Sequence, residues 1–226
     1  MNISESKTTY KDGFLVYSVN VISSEGSKKL WYSLNEEYAN LLSDRSDAAL
    51  VALLIPAMAL GEDIHIKGVI SSRLYYNISR PYQHVLRKII PSLHQINIYP
   101  EEVQPANKEG SGVAMGFSAG IDSFCALADH FYSDVPEGFR LTHLFFNNVG
   151  SHGHGKNGVK LYKERYKRAK LVADHIGLPL IDIDTNLYNF YSGLGFQQTH
   201  TPRNASVAHL LQRGICRFFY ASTFPY

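Results

Sequence analysis

Val113-Ala114-Met115-Gly116-Phe117-Ser118-Ala119-Gly120-Ile121-Asp122-Ser123 is a short apolar run that leads into small and hydroxyl residues and then into a helical pattern. That layout describes a phosphate cradle. Ala119 and Gly120 let the backbone turn tightly, so successive N–H groups and a helix start can converge on an anion. Ser118 and Ser123 add hydroxyl donors. Asp122 fits a nucleotide site in two ways: its carboxylate can accept from free N–H groups of the first helical turn, or it can hold a Mg2+ ion that accompanies phosphates. The same residues also suit a plain turn before a helix.

Outward from this stretch, strand and helix signals alternate. Ile121 to Tyr132 carries Phe124, Leu127, Ala128 and Phe131 at helical spacing and stops at Ser133-Asp134. Leu141 to Phe146 suits a buried parallel strand, and Val159 to Ile176 predicts a helix that ends at Gly177-Leu178-Pro179. Leu180 to Asp184 reads as a strand, Ala205 to Arg213 as a helix, and Ile215 to Ala221 as another strand. The expectation is an α/β fold, a parallel sheet wound with helices, Rossmann-like, from about Val113 onward. Ligands in such sheets sit at the carboxyl ends of strands, where Ser118 to Ser123 falls.

Ser118-Ala119-Gly120-Ile121-Asp122-Ser123 resembles the PP-loop, Ser-Gly-Gly-x-Asp-Ser, of the ATP pyrophosphatases, the adenine nucleotide alpha-hydrolase-like family with the HUP fold. That family includes GMP synthetase, NAD synthetase, argininosuccinate synthetase, tRNA thiolation enzymes and 7-cyano-7-deazaguanine synthase. The departure is Ala119, where the family usually has glycine; a methyl group fits there if the local φ is negative. The resemblance covers Val113 to Ala221. It places Phe145-Phe146-Asn147 at the adenine edge, and Thr201-Pro202-Arg203-Asn204 resembles a Pro-x-Arg-Asn segment of 7-cyano-7-deazaguanine synthase. It implies ATP and Mg2+ as cofactors: Phe117, Ser118, Ala119, Gly120, Ile121, Asp122 and Ser123 around the phosphates, Phe146 and Asn147 at the base, Asp122 on the metal. Arg203 would meet phosphate oxygens through its planar guanidinium. Ser118, Asp122, Ser123 and Arg203 are then the catalytic candidates. A surface arginine near a helix start is the bland reading of Arg203.

Gly150-Ser151-His152-Gly153-His154-Gly155-Lys156-Asn157 has Walker A spacing, but Asn157 stands where a Ser or Thr should bind Mg2+. A Gly/His loop at the mouth of the same site, with Lys156 within reach of phosphates, fits better. His152 and His154 could share a metal ion, yet two ligands are too few. The other histidines are scattered. Lys160, Lys163, Arg165, Lys167, Arg168 and Lys170 could bind RNA, though on a helix they spread over a solvated face.

The chain has 226 residues, a formal net charge of +2, 45% hydrophobic and 19% charged residues, ordinary for a globular protein. That charge gives no general affinity for nucleic acid. Cys125 and Cys216 lack Cys-x-x-Cys spacing and read as packed core thiols in a reducing, cytoplasmic setting. The cysteine cluster of 7-cyano-7-deazaguanine synthase has no counterpart. Met1 to Asp12 has no apolar signal core, and Ala48 to Leu60, broken by Pro56, is too short to span a membrane and reads as a buried helix.

The first half reads as a smaller α+β domain, residues 1–105, before a PP-loop domain, residues 106–226, with a linker from Pro100 to Gly112. Phe14 to Val21 and Lys29 to Ser33 form a β-hairpin, Asp44-Arg45-Ser46-Asp47 caps the helix to Leu60, Ile64 to Ile66 is a strand, Ser71 to Ile90 a helix interrupted near Pro81, and Gln95 to Tyr99 a strand. The end at Phe224-Pro225-Tyr226 leaves room for a longer natural chain. The expected function is an enzyme, ligase- or synthase-like, that adenylates a small-molecule carboxylate, amide or carbonyl with release of pyrophosphate before ammonia, an amine or another nucleophile attacks. Alternatives are a non-catalytic nucleotide sensor or subunit of a larger assembly, and a PP-loop RNA-modifying enzyme. A homo-oligomer or a partner subunit is compatible with each.

Overall fold

The computed structural model describes residues 1–106, 110–153 and 155–221; His154 and the last five residues, with the C-terminal expectation placed on them, lie outside the described residues. Its centre is a ten-stranded sheet ordered β10-β7-β8-β9-β4-β3-β1-β5-β6, with β2 also paired to β3. The strands are β1 (Asn2–Ile3), β2 (Lys7–Lys11), β3 (Phe14–Ser23), β4 (Gly26–Asn35), β5 (Ile64–Ser71), β6 (Ile98–Gln104), β7 (Gly112–Gly116), β8 (His143–Asn148), β9 (Leu180–Thr185) and β10 (Ile215–Phe219). Pairing is parallel from β10 through β9 and from β1 to β6, and antiparallel in between. The helices are α1 (Asp47–Leu60), α2 (Ser72–Ser79), α3 (Pro81–Ile89), α4 (Ile121–Leu127), α5 (Gly155–Ile176) and α6 (Phe196–Leu210).

Strand periodicity sets two cores. Val113, Met115, Leu144, Phe146 and Leu180 project to one face and pack with Leu127 of α4 and Ala169 and Ala173 of α5. Ala114, Phe145, Ile181 and Ile183 project to the other, toward α1 and α6. Helices therefore cover both faces of a mostly parallel sheet. The α1 sequence is apolar all round, so it is buried from Asp47 to Met58 and packs on α6. The side-chain cap expected at its start is not made: Ser46 Oγ donates to Lys67 O at 2.7 Å and Asp47 Oδ1 accepts from Ser71 N at 2.8 Å, so both bond across to β5.

The halves separated at residue 105 in the sequence share this sheet. Tyr32 pairs with Thr185 and Ser33 with Asp184, and Trp31 N donates to Asn186 Oδ1 at 2.9 Å. One core cluster contains Leu15, Tyr32 and Leu50 together with Ile181 and Val207.

Several local expectations need correction. The strand expected at Gln95 to Tyr99 is Ile98–Gln104, so the first part of the expected linker is an edge strand that tolerates Pro100. The helix expected from Ala205 begins at Phe196 and encloses Pro202, so Thr201-Pro202-Arg203-Asn204 is mid-helix. Both cysteines are exposed. On α4 the inward positions are Ser123 and Leu127, which turns Cys125 away. Cys216 is the extra residue of a bulge, because Ile215 pairs with Gly112 and Arg217 with the very next residue, Val113. Among the described residues no helix is long and apolar enough to cross a membrane.

Candidate functional site

Chain order runs from β7 to β8 to β9 on one side, whereas β10 lies on the other side of β7. The connection leaving β7 and the one arriving at β10 therefore run in opposite directions across the sheet, and a crevice opens at the carboxyl ends of β7 and its neighbours. A cavity of about 480 Å3 occupies that place. Its floor is the loop after β7, residues Gly116 to Gly120 with Asp122 and Ser123.

The loop is braced from within. Phe117 N donates to Phe145 O at 2.8 Å, and Phe117, 2% exposed, sets its ring edge-on to Phe124. Ser118 N donates to Ser123 Oγ at 3.1 Å, and the two serine hydroxyls lie 3.2 Å apart. Ser123 is buried and serves as the brace; Ser118 and Asp122 are exposed to the cavity. Ala119 has φ +55°, in the left-handed region, so the negative φ that would accommodate its methyl group is not adopted. Gly120 has φ −94° and precedes α4, which no side chain caps.

The second wall comes from β8 and its neighbours. Phe145, Phe146 and Asn147 line the cavity with Phe196, Asn204 and Tyr220. Asn147 Nδ2 donates to Asn204 Oδ1 at 2.9 Å; Asn204 Nδ2 donates to His200 O at 2.8 Å and to the Tyr220 hydroxyl at 3.2 Å. The His200 ring stacks on Tyr220. Within this network Asn147 Oδ1 is buried and has no donor among the described residues.

The mouth belongs to the loop after β8 and to α5. Ser151, His152, Arg165 and Arg168 line it. His152 is 8% exposed, with Nδ1 at 3.1 Å from both Asn148 Oδ1 and Ser151 Oγ. Burial, aided by the Arg165 guanidinium, pushes its imidazole down to about 4, so it is neutral near pH 7 and a weak base.

Three expected site residues lie elsewhere. Ile121 is 76% exposed and outside the lining, because α4 turns its inward side to Ser123 and Leu127. Lys156 is exposed in the first turn of α5, also outside the lining. Arg203 is buried in α6 and spends its donors on protein: Nε on Thr199 Oγ1 at 2.9 Å and Nη1 on Val149 O at 3.2 Å. Its guanidinium lies 3.9 Å over the Tyr191 ring. It clamps the start of the loop after β8, where Gly150 has φ +107°, a conformation that strains L side chains, and a Cβ would also sit 2.7 Å from Nη1.

Arg165 and Arg168 were hidden in the basic run of α5. The signal was spacing: Arg165 is four residues before the buried Ala169, on the stripe that faces the sheet. Among the described residues no group of three or more metal-binding side chains occurs. Asp122 is the carboxylate in the lining, and Mg2+ commonly takes one carboxylate beside phosphate oxygens and water, so the residues fit that ion when phosphates are present. Hydroxyl and basic residues (Ser118, Arg165, Arg168) together with aromatic and amide residues (Phe145, Phe146, Tyr220, Asn147, Asn204) in one lining suit a ligand with an anionic part and a planar part. In comparisons with known proteins, the chain matches no family model, no curated protein and no solved structure.

Proposed function

We propose that the protein is an ATP-dependent enzyme of the PP-loop type, which transfers the adenylyl group of ATP to an oxygen of a small-molecule acceptor with release of pyrophosphate, after which ammonia or an amine displaces AMP. One observation carries this reading: a cavity at the strand-order reversal is lined by Ser118, Asp122, Phe145, Phe146, Arg165 and Arg168.

In this reading Ser118 and the loop N–H groups bind phosphate oxygens and stabilise charge on the departing pyrophosphate. Ser123 holds the loop in shape through its bonds to Ser118. The base would lie at the carboxyl end of β8, where Phe145, Phe146 and Asn147 line the cavity. Asp122 would hold Mg2+, which would neutralise phosphate charge.

The test is pyrophosphate release from ATP and Mg2+, with and without small carboxylates plus ammonia. Asp122→Ala and Ser118→Ala should each lower release by about 100-fold, the scale of losing one stabilising group in such a site. A second reading, a nucleotide-binding module without catalysis, draws on Ala119, a residue of the lining that stands in a left-handed turn where the PP-loop has glycine. ATP binding with no release under any condition would select that module. No ATP binding would overturn both.

A further inference from the structure

We infer that Arg165 and Arg168 form a polyphosphate-binding wall, so that the cavity selects a nucleoside triphosphate or diphosphate, and the free pyrophosphate anion, over a monophosphate or an uncharged nucleoside. The nucleotide part of this inference rests on the function proposed above; the pyrophosphate part does not.

Among the cations of α5, Lys160 faces Glu164 at 3.9 Å and Lys170 is paired with Asp174, each four residues on, while Lys156, Lys163 and Lys167 are exposed outside the lining. Arg165 and Arg168 form no ion pair among the described residues and line the cavity instead. Three residues apart on one helix, they are neighbours on its surface and can present two planar forks to one anion. Their position follows from packing: Ala169 and Ala173 seat α5 on the sheet, and Arg165 lies one turn earlier on that stripe.

The surroundings leave these arginines available. His152 is neutral near pH 7 and offers no competing charge. Asp122 is the carboxylate of the lining, and as a metal ligand it would join the anion to the opposite wall. Arg203, the other arginine near the loop, has its Nε and Nη1 donors bonded to Thr199 and Val149. A longer phosphate chain carries more charge and more oxygens for the two forks, which gives the order triphosphate, diphosphate, monophosphate, nucleoside.

Equilibrium titration with ATP, ADP, AMP, adenosine and inorganic pyrophosphate tests this on the whole chain. The proteins are the wild type, the Arg165→Ala/Arg168→Ala double variant, and a Lys163→Ala/Lys167→Ala control that removes equal charge from exposed residues outside the lining. A charge-assisted contact is worth roughly tenfold to a hundredfold in affinity. The double arginine variant should lose at least about 100-fold for ATP and pyrophosphate while adenosine stays within about twofold, and the lysine control should lose no more than about threefold. Equal loss for ATP and adenosine, or ATP retained by the double variant, would overturn the inference. Wild-type binding of pyrophosphate but of no nucleotide, lost in the double variant, would support the wall and refute the proposed function. Binding of neither would refute both.

Discussion

The arginines of α5 and the arginine of α6 have the same chemistry and opposite situations. Arg203 lies in a segment that resembles a phosphate-facing one, yet it is 4% exposed and packs its guanidinium on Tyr191 with two donors bonded internally. Arg165 and Arg168 lie in a run that reads as a solvated face, yet they line the cavity without a carboxylate partner among the described residues. A basic residue can serve a ligand only when the fold leaves its donors unspent, and local sequence does not show where donors are spent. The buried arginine is placed to serve stability, and the exposed pair is the one we propose for binding.

Stability measurements can break that division. Arg203→Ala removes the packing on Tyr191 and leaves Val149 O without its donor, so we expect a loss of about 2–4 kcal/mol. At this chain length that lowers Tm by about 4–16 °C. Arg165→Ala and Arg168→Ala should each stay within about 0.5 kcal/mol of wild type. Thermal unfolding of the three variants decides the matter; a large loss at Arg165 or Arg168 would make the α5 pair structural and erase the contrast.

Two groups beside the α5 wall have their proton affinities shifted in opposite directions. Beside the α5 wall, the Tyr162 hydroxyl donates to Asp182, and its ring meets His152 edge-on at 5.1 Å. Burial, with Asp184 nearby, pushes the Asp182 carboxyl up to about 7, whereas His152 is held down at about 4. Between about pH 4 and 7 the folded state keeps a proton on Asp182 that the unfolded chain has released, so this group makes stability fall as pH rises. Between about pH 4 and 6.5 the unfolded chain holds a proton on His152 that the folded state does not, so stability rises with pH. The two oppose each other. Asp182→Asn should therefore expose a rise of stability with pH, and His152→Gln a fall, each on the order of 1–2 kcal/mol over the window. Denaturation midpoints from pH 4.5 to 7.5 read this directly. Parallel curves for wild type and both variants would show that neither group changes its proton affinity on folding.

What the sequence revealed follows the range of the forces involved. The stretch Val113 to Ser123, the strand at Leu180 and the long α5 were legible because apolar runs, glycines and helical spacing are local signals. Pro100 and the glutamates after it concealed β6, since an edge strand needs neither an apolar run nor every N–H. Pro202 concealed the first turns of α6, where burial between sheet and α1 outweighs the cost of proline. The joining of the halves through Tyr32 and Thr185 is a pairing of residues far apart in the chain, which no local pattern encodes. In the site, the loop was legible for the same local reason. The arginine wall depended on which face of α5 the alanines bury, and the Asn147–Asn204–Tyr220 network on the meeting of β8, α6 and the end of β10.

The smallest effect concerns Ala119, where the loop meets the binding region. At φ +55° an L-residue pays about 1–2 kcal/mol that glycine does not, while glycine adds about 0.4–1 kcal/mol of unfolded-chain entropy to be lost on folding. The difference predicts that Ala119→Gly stabilises the protein by about 0.5–1 kcal/mol, measurable as a higher denaturant midpoint with an unchanged slope. Ser118 and Ser123 are bonded to each other independently of the residue at 119, so the variant removes the methyl group and keeps that brace. Faster pyrophosphate release in the same variant would show that the methyl group stands in the path of the phosphates. A stabilised variant with unchanged ATP affinity and release would place it beside that path, and a destabilised one would mean that the turn at 119 is not left-handed in solution.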